Sequence, residues 1–240
     1  MDGIVLIPNR RDSLDHIADI RNRFAFEGVI SEICDMDWEA LDSEDVLQVA
    51  HAYYYFSVQF RENLEIACRL HPEDSKLKEL YEGECATDNL SPWPGVASAG
   101  EKLDHDEFMR RLLALGTVED NNHLTQIGEV YLERTRALDD VTRAMSIASY
   151  EDGGLTRVFS AMLRAPDWRG AAPGAFKFFL EQHIRFDSDD GAGHGSLSRH
   201  LRLDDRIVPL WIGFRELLVA AVPRFWERPV IPVPQSAARP

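Results

Sequence analysis

His183, Asp187, Asp190 and His194 fall at positions i, i+4, i+7 and i+11 of one segment. At about 100° per residue this spacing places two imidazoles and two carboxylates on one face of a helix, provided the helix persists that far. The same face carries Phe176, Phe179 and Leu180 in the preceding turns. An apolar stripe that continues as His and Asp points titratable groups into a core, where charges must be paired or bound to a metal. The segment reads as half of a metal site. Either Asp187 or Asp190 could be its carboxylate ligand, and the one-turn relation to His183 favours Asp187.

Three other helical stretches repeat the anomaly. Glu84 follows Leu77 and Leu80, Glu151 sits among Ala148, Leu155, Val158 and Met162, and His105 precedes Phe108, Met109 and Leu112. Burying such groups singly costs several kcal/mol each, a cost that a shared cation removes. A structural His–Asp pair accounts for His183 and Asp187 taken alone, but not for the wider set. Oxygen and imidazole donors without thiolate suit iron or manganese, and carboxylates can bridge two ions. The predicted metal-ligating and catalytic set is therefore Glu84, His105, Glu151, His183, Asp187 and His194.

The elements that must carry these residues are helical throughout. Ser43 can cap a helix over about 44–70 that is rich in aromatics, including Tyr53, Tyr54, Tyr55 and Phe56. Pro72 opens a second helix that runs to about residue 88. Residues 89–100, with Pro92, Pro94, Gly95 and Gly100, form a loop. Asp104 caps a helix ending at Gly116. One long helix is predicted from about residue 125 into the 160s, bent at Gly153 and Gly154. A turn over 166–174 precedes two last helices, over about 175–190 and 194–222. No strand pair or hairpin signal is present. The fold class is all-α, about seven helices around one core in a single domain over 1–222. A tail over 223–240, with five prolines, is expected to be extended or disordered.

Lys and Arg total 26 against 41 Asp and Glu, a net charge of -15. This argues against nucleic acid and anionic membranes as partners, since phosphate binding needs a basic patch. Three cysteines without CxxC spacing argue against a disulfide framework and fit a reducing cytoplasm. The N-terminus lacks a signal peptide's basic and apolar regions, and the run over 217–222 is far short of the ~20 residues of a membrane span.

In order and helical context these residues resemble the heme-oxygenase-like diiron oxidases, over roughly residues 45 to 220. Glu84, in Tyr81-Glu-Gly-Glu84-Cys-Ala-Thr-Asp88, resembles their first-helix carboxylate. His105, in the stretch that ends at Gly116, resembles the next ligand. Glu151 resembles the carboxylate of the long central helix, and His183, Asp187 and His194 the terminal His…Asp…His set. Asp187 and His194 stand seven apart, wider than the family's usual spacing, with Asp190-Gly-Ala-Gly between them, and the Glu84–His105 gap is longer than usual. The resemblance implies a heme-oxygenase-like helical bundle holding two Fe ions, or an Mn/Fe pair, with O2 as cosubstrate. It implies an oxidoreductase acting on a small-molecule substrate, an amino acid or amine, by desaturation, cyclisation, C–C cleavage or N-oxygenation in natural-product biosynthesis. A homodimer is left open.

Two other classes compete. One is a metal-free enzyme of the same fold, either a cofactorless oxidase or a thiaminase-like hydrolase with Cys85 as its nucleophile. The other is a non-catalytic helical binding module. Tyr53–Phe56 reads as core packing, although one tyrosine could line the site. Glu82, Glu101, Asp106 and Glu107 are expected to be solvated. His16, His51, His71, His123 and His200 are expected on the surface or satisfied in the core. Arg157, Lys177 and Arg185 could hold a substrate carboxylate, with solvated surface as the default.

Overall fold

The computed structural model describes residues 25–117, 121–187 and 203–226, apart from the side chains of residues 152, 187 and 226. Among these residues the architecture is all-α, with nine α-helices and no strand; two isolated bridges, Thr87–Leu103 and Trp93–Ala97, lie in the loop over residues 85–104. The helices are α1 (25–34), α2 (Ser43–Leu70), α3 (Ser75–Glu84), α4 (His105–Leu113), α5 (Asn121–Arg136), α6 (Asp140–Ser149), α7 (Leu155–Met162), α8 (Ala171–Asp187) and α9 (Val208–Ala221). None is long and apolar enough to cross a membrane.

The centre of the molecule is α2, which packs against α3, α4, α5, α6, α8 and α9. Its start is fixed by a reciprocal capping box. The Asp42 carboxylate accepts the Asp45 amide at 3.0 Å, and Asp45 accepts the Asp42 amide at 3.1 Å. Asp42, rather than Ser43, is thus the cap. Aromatic residues spaced along α2 fill the core: Phe56 meets Phe214 of α9 at a ring separation of 4.2 Å, and Tyr53 lies among Phe159, Phe176 and Phe179. Each such burial contributes about 1.5–3 kcal/mol. Polar pins set the register of the neighbours. Asn63 donates to Ser146 at 2.9 Å and accepts from Arg143 at 2.8 Å, while Tyr131 donates to Gln59 at 2.8 Å.

The long helix expected from residue 125 into the 160s is instead three helices. Asp139 ends the first stretch by capping α6, accepting the Thr142 amide at 3.0 Å. A π-turn, Tyr150–Gly154, then separates α6 from α7. The helix expected from Pro72 begins at Ser75, because the Asp74 carboxylate caps it, and ends at Glu84, because Ala86 takes a positive φ of 50°. The expected turn over 166–174 is cut short: α8 starts at Ala171, and Pro173 is tolerated in a first turn, where no amide donor is required. Of the helix expected over 194–222, the described part becomes regular only at Val208. Beyond Val222, Pro223–Trp226 form a 3₁₀ turn that seats Phe225 on Trp38 at 4.8 Å, so the start of the Pro-rich tail is docked.

His51, on α2, is partly buried, and desolvation pushes its imidazole down from 6.5 to about 4. The unfolded chain therefore takes up this proton near pH 6.5 and the folded chain only near pH 4. Its neutral form supports folding fully above 6.5, and that support is lost as pH falls to about 4. After allowance for solvent screening the loss is roughly 1–2 kcal/mol. Urea midpoints between pH 7 and 4.5 are expected to fall less steeply in His51→Gln than in the unsubstituted chain; parallel curves would refute this.

Candidate metal centre

Four of the predicted residues meet at one place. Glu84 is the last residue of α3 and His105 the first of α4. Glu151 is carried by the π-turn, and His183 lies on the buried face of α8. All four are nearly inaccessible, at 6%, 5%, 6% and 7% exposure respectively. His105 Nδ1 lies 2.6 Å from Glu84 Oε2 and 3.0 Å from His183 Nε2. One donor atom from each of these three residues falls within 4.8 Å of the other two. Glu151 lines the same cavity of about 20 Å³, together with Tyr53, Ser57, Phe60, Arg61, Asp106, Leu155 and Phe179.

Local structure explains each placement. Asp104 precedes α4 but does not cap it; its carboxylate instead accepts the Ala86 amide at 2.8 Å. That bond, with the Thr87–Leu103 bridge, ties the end of α3 to the start of α4 and brings Glu84 to His105. His183 stacks on Phe179 at 4.0 Å, and its Nδ1 meets the Phe179 carbonyl at 2.8 Å. The π-turn is clamped by Trp211, whose indole N–H donates to Ser149 at 3.1 Å and whose ring packs on Tyr150 at 5.2 Å. Single π-turns inside helices recur at functional sites because they re-aim one side chain without breaking the flanking helices.

One carboxylate and two imidazoles this close and this buried must share protons or a cation. The donor set has no thiolate and suits Fe, Mn or Zn. The residues present therefore fit a metal ion. For the other half of the predicted set, Asp187 ends α8, and its side chain lies outside the described residues, as do Asp190 and His194 altogether.

Asp106 departs from the expected solvated position. It lies at the cavity wall and binds Arg61 Nε at 3.0 Å, and burial raises its pKa against the opposing effect of Arg61. Glu101 and Glu107 bind Arg111 at 2.7 and 2.8 Å. Glu82 is exposed, as are His71 and His123; His16 and His200 lie outside the described residues. Tyr53 is both core and cavity wall. Of the suggested substrate anchors, Arg157 pairs with Glu27 and Lys177 lies 3.8 Å from Glu181, while Arg185 is exposed. The Cys85 thiol is buried and pushed far up by desolvation and by the charges of Asp104 and Glu84. That direction disfavours the thiolate, the form in which a cysteine acts as a nucleophile.

Sequence reasoning missed Asn89, read only as the start of a loop. Its Oδ1 lies 3.0 Å from His105 Nε2, and its Nδ2 donates to the Gly83 carbonyl at 2.8 Å. No periodicity marks a loop residue of this kind. Comparison with family models, with curated proteins and with solved structures finds no match to this chain.

Proposed function

We propose that this chain is an O2-dependent, non-heme dimetal oxidoreductase of the heme-oxygenase-like kind, acting on an amino acid or a related small molecule. The observation that carries this reading is the buried convergence of Glu84, His105 and His183, with Glu151 facing the same cavity. Glu84, His105 and His183 would hold one ion. Glu151 would hold the second together with Asp187 and His194, and Glu84 or Glu151 could bridge. Two irons bound there would supply the O2 activation and electron transfer that oxidise an unactivated C–H bond.

The chain's own residues exclude water and fix the donors. Phe60, Leu155 and Phe179 wall the cavity with apolar surface, and Tyr53 closes it from α2. At about 20 Å³ the space suits ions and a small diatomic molecule, not an amino acid. Substrate must then approach at an edge. Among the described lining residues, Arg61 and Asp106 alone are partly exposed, so the approach we propose lies between α2 and α4.

Iron loading under anaerobic conditions tests the reading. Two equivalents of Fe(II) per chain, followed by O2 uptake that rises with one member of an amino-acid and amine panel, is the expected result. A chain that takes up no stoichiometric iron or manganese would overturn it.

A further inference from the structure

We infer that Asn89 selects the nitrogen through which His105 meets metal. The inference rests on the metal reading above and concerns a residue outside the ligand set. The Asn89 side chain makes two bonds of opposite sense. The group facing the Gly83 carbonyl at 2.8 Å must be a donor, because a carbonyl oxygen only accepts. The atom facing His105 Nε2 at 3.0 Å is then the amide oxygen, which also only accepts. His105 Nε2 therefore carries a proton. In the neutral ring Nδ1 is left as a lone pair, and Nδ1 is the atom beside Glu84 Oε2 and His183 Nε2.

A different acceptor treats His183 in the same way. Its Nδ1 donates to the Phe179 carbonyl at 2.8 Å, leaving Nε2 as the lone pair that faces His105. Two outer acceptors thus hold both ring protons outside the cluster, and three lone-pair donors are turned toward one point. A second partner on the far ring nitrogen is the usual device by which proteins orient a metal-binding histidine. Here the partner is tied to Gly83, the residue before the ligand Glu84, so the same side chain that sets the tautomer of one ligand anchors the backbone of another. Asn89 is a positioning residue, and removing it deletes no metal-binding side chain.

The test uses Zn(II) alone as a diamagnetic probe and ¹⁵N-labelled histidine. In the zinc-loaded protein, ring-nitrogen correlations are expected to show His105 protonated at Nε2 and zinc-bound at Nδ1, with His183 protonated at Nδ1 and zinc-bound at Nε2. Asn89→Ala is expected to weaken zinc by roughly 10–100-fold, the usual effect of a lost outer partner, and to mix the His105 tautomers. Zinc bound through His105 Nε2 would overturn the role of Asn89 and leave the metal reading standing. So would an Asn89→Ala protein with unchanged zinc affinity and an unchanged His105 pattern. No zinc binding at all would overturn the metal reading, and this inference with it. Should Asn89→Ala fail to fold, the spectrum of the unsubstituted protein alone decides.

Discussion

His183→Ala is expected to remove the first metal while leaving the bundle folded. The substitution deletes one of three converging donors, so the weakening exceeds the ~10–100-fold that follows loss of a mere outer partner. The folded state survives because α8 is held by other residues. Phe176, Phe179 and Leu180 are each no more than 1% exposed, and each contributes about 1.5–3 kcal/mol of burial. Losing the imidazole opens a small cavity against Phe179, a cost partly offset in the metal-free protein by relief of crowding at His105 Nδ1, 3.0 Å away. Anaerobic Fe(II) titration and circular dichroism on the same preparation check both halves. Full iron content would show that His183 is not a ligand. A collapsed helical signal would make the His183–His105–Glu84 cluster structural.

How much of this was legible depended on what each residue answers to. Glu84, His105, Glu151 and His183 could be picked out because each is a titratable group on an apolar helical stripe, and an apolar stripe buries whatever shares its face. That logic holds wherever the helix is regular. In the structure three of the four lie in direct contact and Glu151, on the π-turn, lines the same cavity. It failed where local hydrogen bonds override periodicity. Asp139 and Asp74 start helices by capping, and the Asp104 carboxylate is drawn away to the Ala86 amide. Asp106, next to His105, looked like one more acidic residue in a first turn. Its partner is Arg61, a residue 45 positions away, and no local pattern reports such a pairing. Asn89 was invisible for the same reason: its role exists only once the loop has folded back between Gly83 and His105. The all-α class was plain from the 3.6-residue period, but the finer family resemblance rests on the order of ligands rather than on the period.

The π-turn offers the second large effect, since it alone carries Glu151 to the cavity. Glu151→Gln keeps the shape of the side chain and removes its charge, and is expected to reduce bound iron from two equivalents to one, with the Glu84–His105–His183 position retained. Gly154→Ala is expected to move stoichiometry in the same direction without touching a ligand. A β-carbon at Gly154 would come within 2.6 Å of the Ser149 carbonyl oxygen and 2.9 Å of the Trp211 ring. The first of these atoms is backbone and the second belongs to a fully buried tryptophan, so neither yields cheaply. The turn must then rearrange, and removing its one extra residue per turn would swing Glu151 by about 100° around the helix axis. Gly153 is the control. Its φ of 84° makes alanine strained by about 1–2 kcal/mol, but a β-carbon there meets no neighbour within 4 Å. Gly153→Ala should therefore lower stability and keep two irons, whereas Gly154→Ala should lose the second. Equal iron content in Gly154→Ala and the unsubstituted protein would separate the π-turn from metal binding. One remaining equivalent in Glu151→Gln, with His183→Ala abolishing it, would assign the two ions to the two sets of ligands.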